Sequence, residues 1–481
     1  MSEPRAAALL VAGAFLARLV AYLGTGIFGT DSAQFLLMAQ WMGEGRFQEA
    51  LAITYHPLYP LLVAAAAPLA GGVEPAGFWV SMVLGSAAAA PLYFLVSSTF
   101  GRPAAFLTGL FYCFQPHTVE LHADVMTEGT FTFFLLGAAW LCRKGLEDPS
   151  VERSILAGLS ASAAYLTRPE GILAVAFVTL WPVAEWVRAR DRAVARLGGA
   201  ALALAAAALL AFPFLLWVRH ETGAWALSAK GSVRNAGLAP VPAGEAGGVP
   251  EEPVGSVAAR YGRFAESVLR VTSGVTVPFL LLGLAQLRGR GLWGPLFYFS
   301  LPAAYLGGLL WSLRSHPYWS YRYVVPSMNL LFVLAALGIL GVVRYAERRR
   351  PQVRWAPWAG VLVILVAVAP YVRHLRAHRM EEAALREAGA WLRKRGATRV
   401  MSTTDKVGFF VGRKVLTYPR DPAALRSGGA PEYYVYLDKD LASGKLPYLS
   451  RLEEEAGAGP PVVFPDPPRP GLWKVYVRPA R

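Results

Sequence analysis

Apolar residues in this chain come in blocks long enough to cross a bilayer, and that alone excludes most soluble folds. A spanning helix needs roughly 17–25 predominantly apolar residues. Ala6–Leu23, Trp79–Val96, Val125–Cys142, Ile172–Val187, Leu197–Val218, Val268–Leu287, Leu292–Trp311, Val324–Val343 and Trp355–Val372 approach or meet that length. Leu58–Ala70, Ala104–Phe114 and Ile155–Leu166 are shorter. With 55% hydrophobic and 16% charged residues over 481 positions, the chain reads as an all-α polytopic membrane protein. The first run lacks a basic leader and a small-residue cleavage site, so it reads as a retained helix. Cys113 and Cys142 both fall inside apolar segments and offer neither a disulfide framework nor a zinc pattern.

Charge sets the orientation. The connectors "RARDRAVAR" (Arg188–Arg196) and "RYAERRRPQVR" (Arg344–Arg354) are strongly basic, and the positive-inside rule puts both in the cytoplasm. The last apolar run then exits outward, toward a cytoplasmic-membrane exterior, and carries the tail with it. Counting back gives about 11 transmembrane helices, with one short segment re-entrant or interfacial. Residues 1–373 form the membrane domain, with extracytoplasmic loops at about 24–55 and 219–266. The second loop is rich in Gly, Pro and Ala. Residues 374–481 form a small extracytoplasmic α/β domain. "MEEAALREAGAWLRKRG" has acids early, bases late and Gly396 at its end, which signals a helix. "TRVMST", "KVGFFVG", "KVLTYP", "EYYVYLD" and "WKVYVRP" read as short strands. The net charge of +15 and the basic tail suit anionic membrane lipids or phosphorylated lipid ligands, and no nucleic-acid motif accompanies them.

Ionisable groups inside or at the edge of such segments need a partner or a role. Asp31, His56, Asp124, Glu128, Arg168, Glu170, Arg314, His316 and Arg322 all map to the outer side, a mixture of acids and bases suited to chemistry facing outward. Each has a plainer role as well. Asp31 could cap a helix starting at Ser32, Arg18 could pair with Glu128, and Arg168 before Pro169 could mark a helix boundary. The aromatics of "HPYWSYRY" are what a membrane interface collects.

"TDSAQFLLMAQWMGEGRF", "YHPLYPLLVA", "ADVMTEGTFTFFLLGAAWLCRKG", "GLSASAAYLTRPEGI" and "YRYVVPSMNLL", in that order, resemble the bacterial glycosyltransferases of the GT-C fold. The nearest groups are the dolichyl-phosphate-mannose protein mannosyltransferases and the aminoarabinose lipid A transferases. The resemblance covers about residues 6–343. It implies inverting transfer of a sugar from a polyprenyl-phosphate donor on the outer membrane face. In that family an acid just after the first helix is the key catalytic residue, and Asp31 occupies its place. Two adjacent acids are common there, whereas here Ser32 follows. Tyr55 and His56 stand where the aminoarabinose enzymes carry an acid and a lysine.

Residue chemistry agrees with this expectation. Attack by a hydroxyl needs a general base within about 2.6–3.2 Å, and a carboxylate serves in inverting sugar chemistry. Asp31 is expected as that base, aided by Glu128 or Asp124. A departing lipid phosphate needs preorganised cations, for which Arg322 and Arg314 are the first choices. His56, His316, Arg168, Lys230 and Arg234 are further candidates. A divalent cation, Mg or Mn held by Asp31, is left open. The acceptor is a lipid, protein or glycan hydroxyl. The alternatives are a non-catalytic transporter or flippase of lipid-linked sugars, and an assembly scaffold whose tail recruits partners. A transporter is disfavoured by the lack of an internal repeat.

Overall fold

The computed structural model describes residues 2–229, 256–272, 274–289, 291–314, 320–353, 355, 357–363, 379, 382–419, 425, 431–443 and 446–480. Helix α1 (Glu3–Leu23) is followed by α2 (Thr30–Gly43), α3 (Phe47–Leu51) and α4 (Leu58–Ala70). Next come α5 (Val73–Ala87), α6 (Ala89–Phe100), α7 (Arg102–Phe114), α8 (Pro116–Ala123) and α9 (Thr127–Glu147). Helices α10 (Val151–Thr167), α11 (Ile172–Ala189) and α12 (Ala193–Thr222) precede α13 (Val257–Thr272), α14 (Val277–Ala285), α15 (Trp293–Ser312) and α16 (Val325–Arg349).

Five stretches among the described residues are long and apolar enough to cross a membrane: Glu3–Leu23, Val73–Phe100, Pro169–Ala189, Ala193–Thr222 and Val325–Arg349. On α12, Leu209 is 78% exposed and Phe212 and Leu204 are also open. Such a face is at home only against lipid. The protein is a multi-pass membrane protein.

The run from Val125 begins at a sharp bend, and the run Val268–Leu287, which reads as a single span, is broken. Around Asp124 the chain turns extended, and α8 meets α9 at 111°. The Asp124 carboxylate accepts the Val125 N–H at 2.7 Å there, replacing a helical bond. Helices α13 and α14 meet at 90°, with Pro278 opening the second; a proline has no N–H to continue the preceding ladder. Trp355–Val372 and the middle of the 219–266 loop lie largely outside the described residues. Arg18 is not beside Glu128. It is fully buried, donates to the Ala14 carbonyl at 2.9 Å and lies 3.1 Å from His122 Nδ1, because α1 runs against α8 rather than the start of α9.

Close backbone approach fastens α14 to α16. A Cβ on Gly283 would strike the Leu334 carbonyl, and one on Gly338 would strike that of Phe279. Small residues let membrane helices touch in this way. Gly283→Ala and Gly338→Ala should each destabilise the protein by about 1–3 kcal/mol, the usual cost of overpacking, read as a lowered melting temperature in detergent.

The C-terminal domain is a five-stranded sheet in the order β2-β1-β3-β5-β4. Strands β1 (Val400–Ser402), β2 (Leu416–Thr417) and β3 (Tyr433–Leu437) run parallel. Strands β4 (Val462–Phe464) and β5 (Val475–Pro479) complete it antiparallel. Helix α17 (Ala384–Lys394) falls where the charge pattern places it. "KVGFFVG", expected as a strand, is helix α18 (Lys406–Val411). The adjacent Phe409 and Phe410 both pack on Phe28, at 5.3 and 5.6 Å, whereas neighbours on a strand point to opposite faces. Gly412, at φ 80°, closes that helix. Two short helices, α19 (Asp438–Ser443) and α20 (Leu452–Ala456), follow.

A single buried apolar cluster runs from Phe28 and Leu36 into Val407, Val411 and Val435. The C-terminal domain is therefore seated on α2 rather than tethered beside it. Arg386 adds an ion pair to Glu74 at 2.6 Å.

Candidate active site

Four charged side chains meet where helices end. Asp31 lies in the first turn of α2 and Glu128 in the first turn of α9. Arg168 is the residue that closes α10, and Arg322 sits in a single 3-10 turn, Tyr321–Tyr323, just before α16. Acids at helix N-termini and a base at a C-terminus are each favoured by the backbone dipole, by roughly 0.3–1 kcal/mol when exposed. Pro169 holds Arg168 in extended backbone (φ −151°, ψ 142°), as a residue before proline prefers.

The four form a chain of contacts. Arg322 Nη2 lies 2.5 Å from Asp31 Oδ2, and its Nε lies 3.8 Å from Glu128 Oε1. Glu128 accepts a hydrogen bond from Arg168 Nη1 at 2.6 Å, and Arg168 reaches Glu170 at 3.4 Å. The Tyr323 ring lies 5.5 Å from both guanidinium carbons, a cation–π distance. Exposure is graded: the Glu128 side chain is 1% exposed, Arg168 9%, Arg322 17% and Asp31 31%. The inner end is sealed and the Asp31 end is open.

Asp31 does not cap its helix. The cap position is Gly29, without a side-chain bond, and the charge of Arg322 draws the Asp31 carboxylate instead. Asp124 shapes the turn leading into α2. Its Oδ1 accepts the Gly29 N–H at 3.3 Å and its Oδ2 pairs with Arg379 at 2.6 Å. A Cβ on Gly29 would sit 3.0 Å from Asp124 Oδ2 and 3.1 Å from Ser32 Oγ, so bare backbone is needed for this approach.

The remaining candidates are dispersed. His56 is buried edge-on to Tyr165 at 5.4 Å and against Phe214 at 5.0 Å. Its neighbour Tyr55 faces the site; burial, then the Asp31 charge, raise its phenol above the ordinary value against Arg322. It stays protonated and able to donate. Arg314 is exposed and lies over Trp311 at 4.6 Å, away from the arginine chain. His316, Lys230 and Arg234 lie outside the described residues. Among the described residues no three His, Cys, Asp or Glu side chains converge to hold a metal, and Asp31 is already held by Arg322.

Sequence reasoning missed three neighbours of this cluster. Arg379 is one arginine among many in a basic tail. Tyr323 was read as an interface aromatic, although its place beside Arg322 was the available signal. Asp405, at the start of α18, was hidden by reading that segment as a strand.

Residues 55–217 match the family model described as dolichyl-phosphate-mannose-protein mannosyltransferase. That stretch includes Glu128 and Arg168 and leaves out Asp31 and Arg322. Among curated proteins none matches the sequence. The structure is similar to that of ArnT from Cupriavidus metallidurans bound to undecaprenyl phosphate, at 14% identity and a TM-score of 0.62, over 98% of this chain and 97% of that one. The apo state of the same protein gives 14% identity and a TM-score of 0.61 over the same shares. The Archaeoglobus fulgidus oligosaccharyltransferase in complex with Zn and sulfate shares 11% identity over 97% of this chain and 73% of that one, with a TM-score of 0.54. The fold is that of ArnT, the GT-C architecture the sequence motifs resemble.

Proposed function

With a GT-C fold as premise, we propose that this protein transfers a sugar from a polyprenyl-phosphate-linked donor to a hydroxyl acceptor at the outer face of the cytoplasmic membrane, inverting the anomeric carbon. The observation that carries this reading is the half-open Asp31 carboxylate held against Arg322, with Glu128 and Arg168 sealed behind it. The family described for residues 55–217 and the undecaprenyl phosphate in the ArnT complex support a lipid-phosphate donor. The basic connectors at 188–196 and 344–354 support the outward sidedness.

Arg322 presents a forked set of N–H donors to its two acids. On donor binding it exchanges Asp31 for a phosphate oxygen, which a forked, permanently charged guanidinium suits. Asp31 is thereby released to take the proton of the incoming hydroxyl. The acceptor oxygen bonds to the anomeric carbon as the bond to phosphate breaks, and the electron pair leaves on the phosphate facing Arg322. Glu128 is too enclosed to meet an acceptor. It is a positioning residue that holds the Nε side of Arg322, while Asp124 fixes the turn before Asp31.

Mass spectrometry of envelope lipids, proteins and glycans from cells with and without the gene tests the proposal. One class should gain a single sugar residue only when the gene is present. Labelled lipid-linked sugar crossing the bilayer with no new glycosidic bond would instead establish a flippase.

A further inference from the structure

The Asp31 site has a second wall, built by the outer domain. Asp405 immediately precedes α18, yet its side chain makes no capping hydrogen bond. It is only 7% exposed. The Gln34 side chain hydrogen-bonds it, and Gln34 stands three residues after Asp31, on the same face of α2. Asp405 Oδ1 and Gln34 Oε1 are both buried without a hydrogen-bond partner, and Gln34 is 9% exposed. Two unused acceptors thus lie near Asp31. Leaving such groups unpaired is costly, and donors from a ligand remove the cost. Water-exposed Lys414 acts on Asp405 from outside, and Lys406 is committed to Glu382.

We propose that Asp405, with Gln34, binds the acceptor substrate through its hydroxyl groups, so that the C-terminal domain supplies the acceptor side of the site and favours a sugar or other polyol. This rests on the transferase reading above. The membrane helices hold the donor phosphate, and the outer domain presents the nucleophile to Asp31. Asp405 forms no bond in the reaction; it orients a hydroxyl-bearing molecule whose reacting O–H gives its proton to Asp31.

Stability separates this role from a structural one. Burial raises the Asp405 carboxyl above its ordinary value, opposed by the Gln34 hydrogen bond, reinforced by Asp31 and opposed by Lys414. An acid raised on folding loses stability as pH climbs from its unfolded to its folded value, and the loss persists above that. Asp405→Asn escapes this loss and should melt higher than wild type at pH 7.5.

The test uses the full chain in nanodiscs, with polyprenyl-phosphate-sugar extracted from the host as donor and envelope material from gene-deleted cells as titrated acceptor. Asp405→Asn should raise the half-saturating acceptor amount at least tenfold, a larger factor than any fall in sugar release to water. Asp31→Asn should lose both reactions. Asp405→Glu, which keeps the charge, should recover part of the acceptor affinity. Unchanged acceptor dependence, equal loss of transfer and hydrolysis, or a lower melting temperature in Asp405→Asn would overturn the assignment. So would a rise in wild-type melting temperature with Mg²⁺ alone that Asp405→Asn abolishes, which would make this a metal site. A wild-type chain that releases no sugar from the donor under any condition removes the transferase reading itself.

Discussion

Replacing Asp31 with asparagine should lower the transfer rate by about 10²–10⁴-fold, the span that a positioned general base contributes. The substitution keeps the shape of the side chain and removes its basicity. Arg322, relieved of its 2.5 Å partner, should bind undecaprenyl phosphate at least as tightly as before. Turnover of extracted donor and binding of undecaprenyl phosphate, measured on the same nanodisc preparation, give the two halves of the result. A variant that keeps its turnover removes Asp31 from the chemistry. A variant that loses lipid-phosphate binding in proportion makes it a binding residue instead.

The second large effect is on stability. Glu128 is 1% exposed and faces Arg168, itself 9% exposed, at 2.6 Å. Taking one partner from a buried pair strands the other, typically at a cost of about 3–5 kcal/mol. Glu128→Gln should approach that range, moderated by Glu170 at 3.4 Å from Arg168. It should also loosen Arg322 and depress transfer. The double variant Glu128→Gln, Arg168→Gln removes both charges and should regain part of the stability while remaining inactive. Urea unfolding in detergent distinguishes these outcomes. Equal stability of wild type and the single variant would mean that water already reaches the pair.

How far the sequence reveals this site depends on the kind of signal each residue carries. Asp31, Glu128, Arg168 and Arg322 stand out because each interrupts or borders an apolar run, where charge is expensive. Their pairing is not visible, since the partners come from distant helix ends joined only by tertiary packing. Helix α4 was legible to its bounds as Leu58–Ala70, whereas the break between α13 and α14, inside the run Val268–Leu287, was not. The strand reading of "KVGFFVG" followed short-range apolar content; the packing of two adjacent phenylalanines on Phe28 decided otherwise. Asp405 was lost with it.

The Arg379–Asp124–Gly29 contacts carry one mechanical consequence. Arg379 is at the root of the C-terminal domain, and Asp124 links it to the backbone that aims Asp31. A push or pull on that domain is therefore delivered to the start of α2, which carries Asp31, through two hydrogen bonds. On the proposed function, a chain cut before the domain should fall silent because Asp31 had been knocked off aim, whether or not the missing part ever recruited anything.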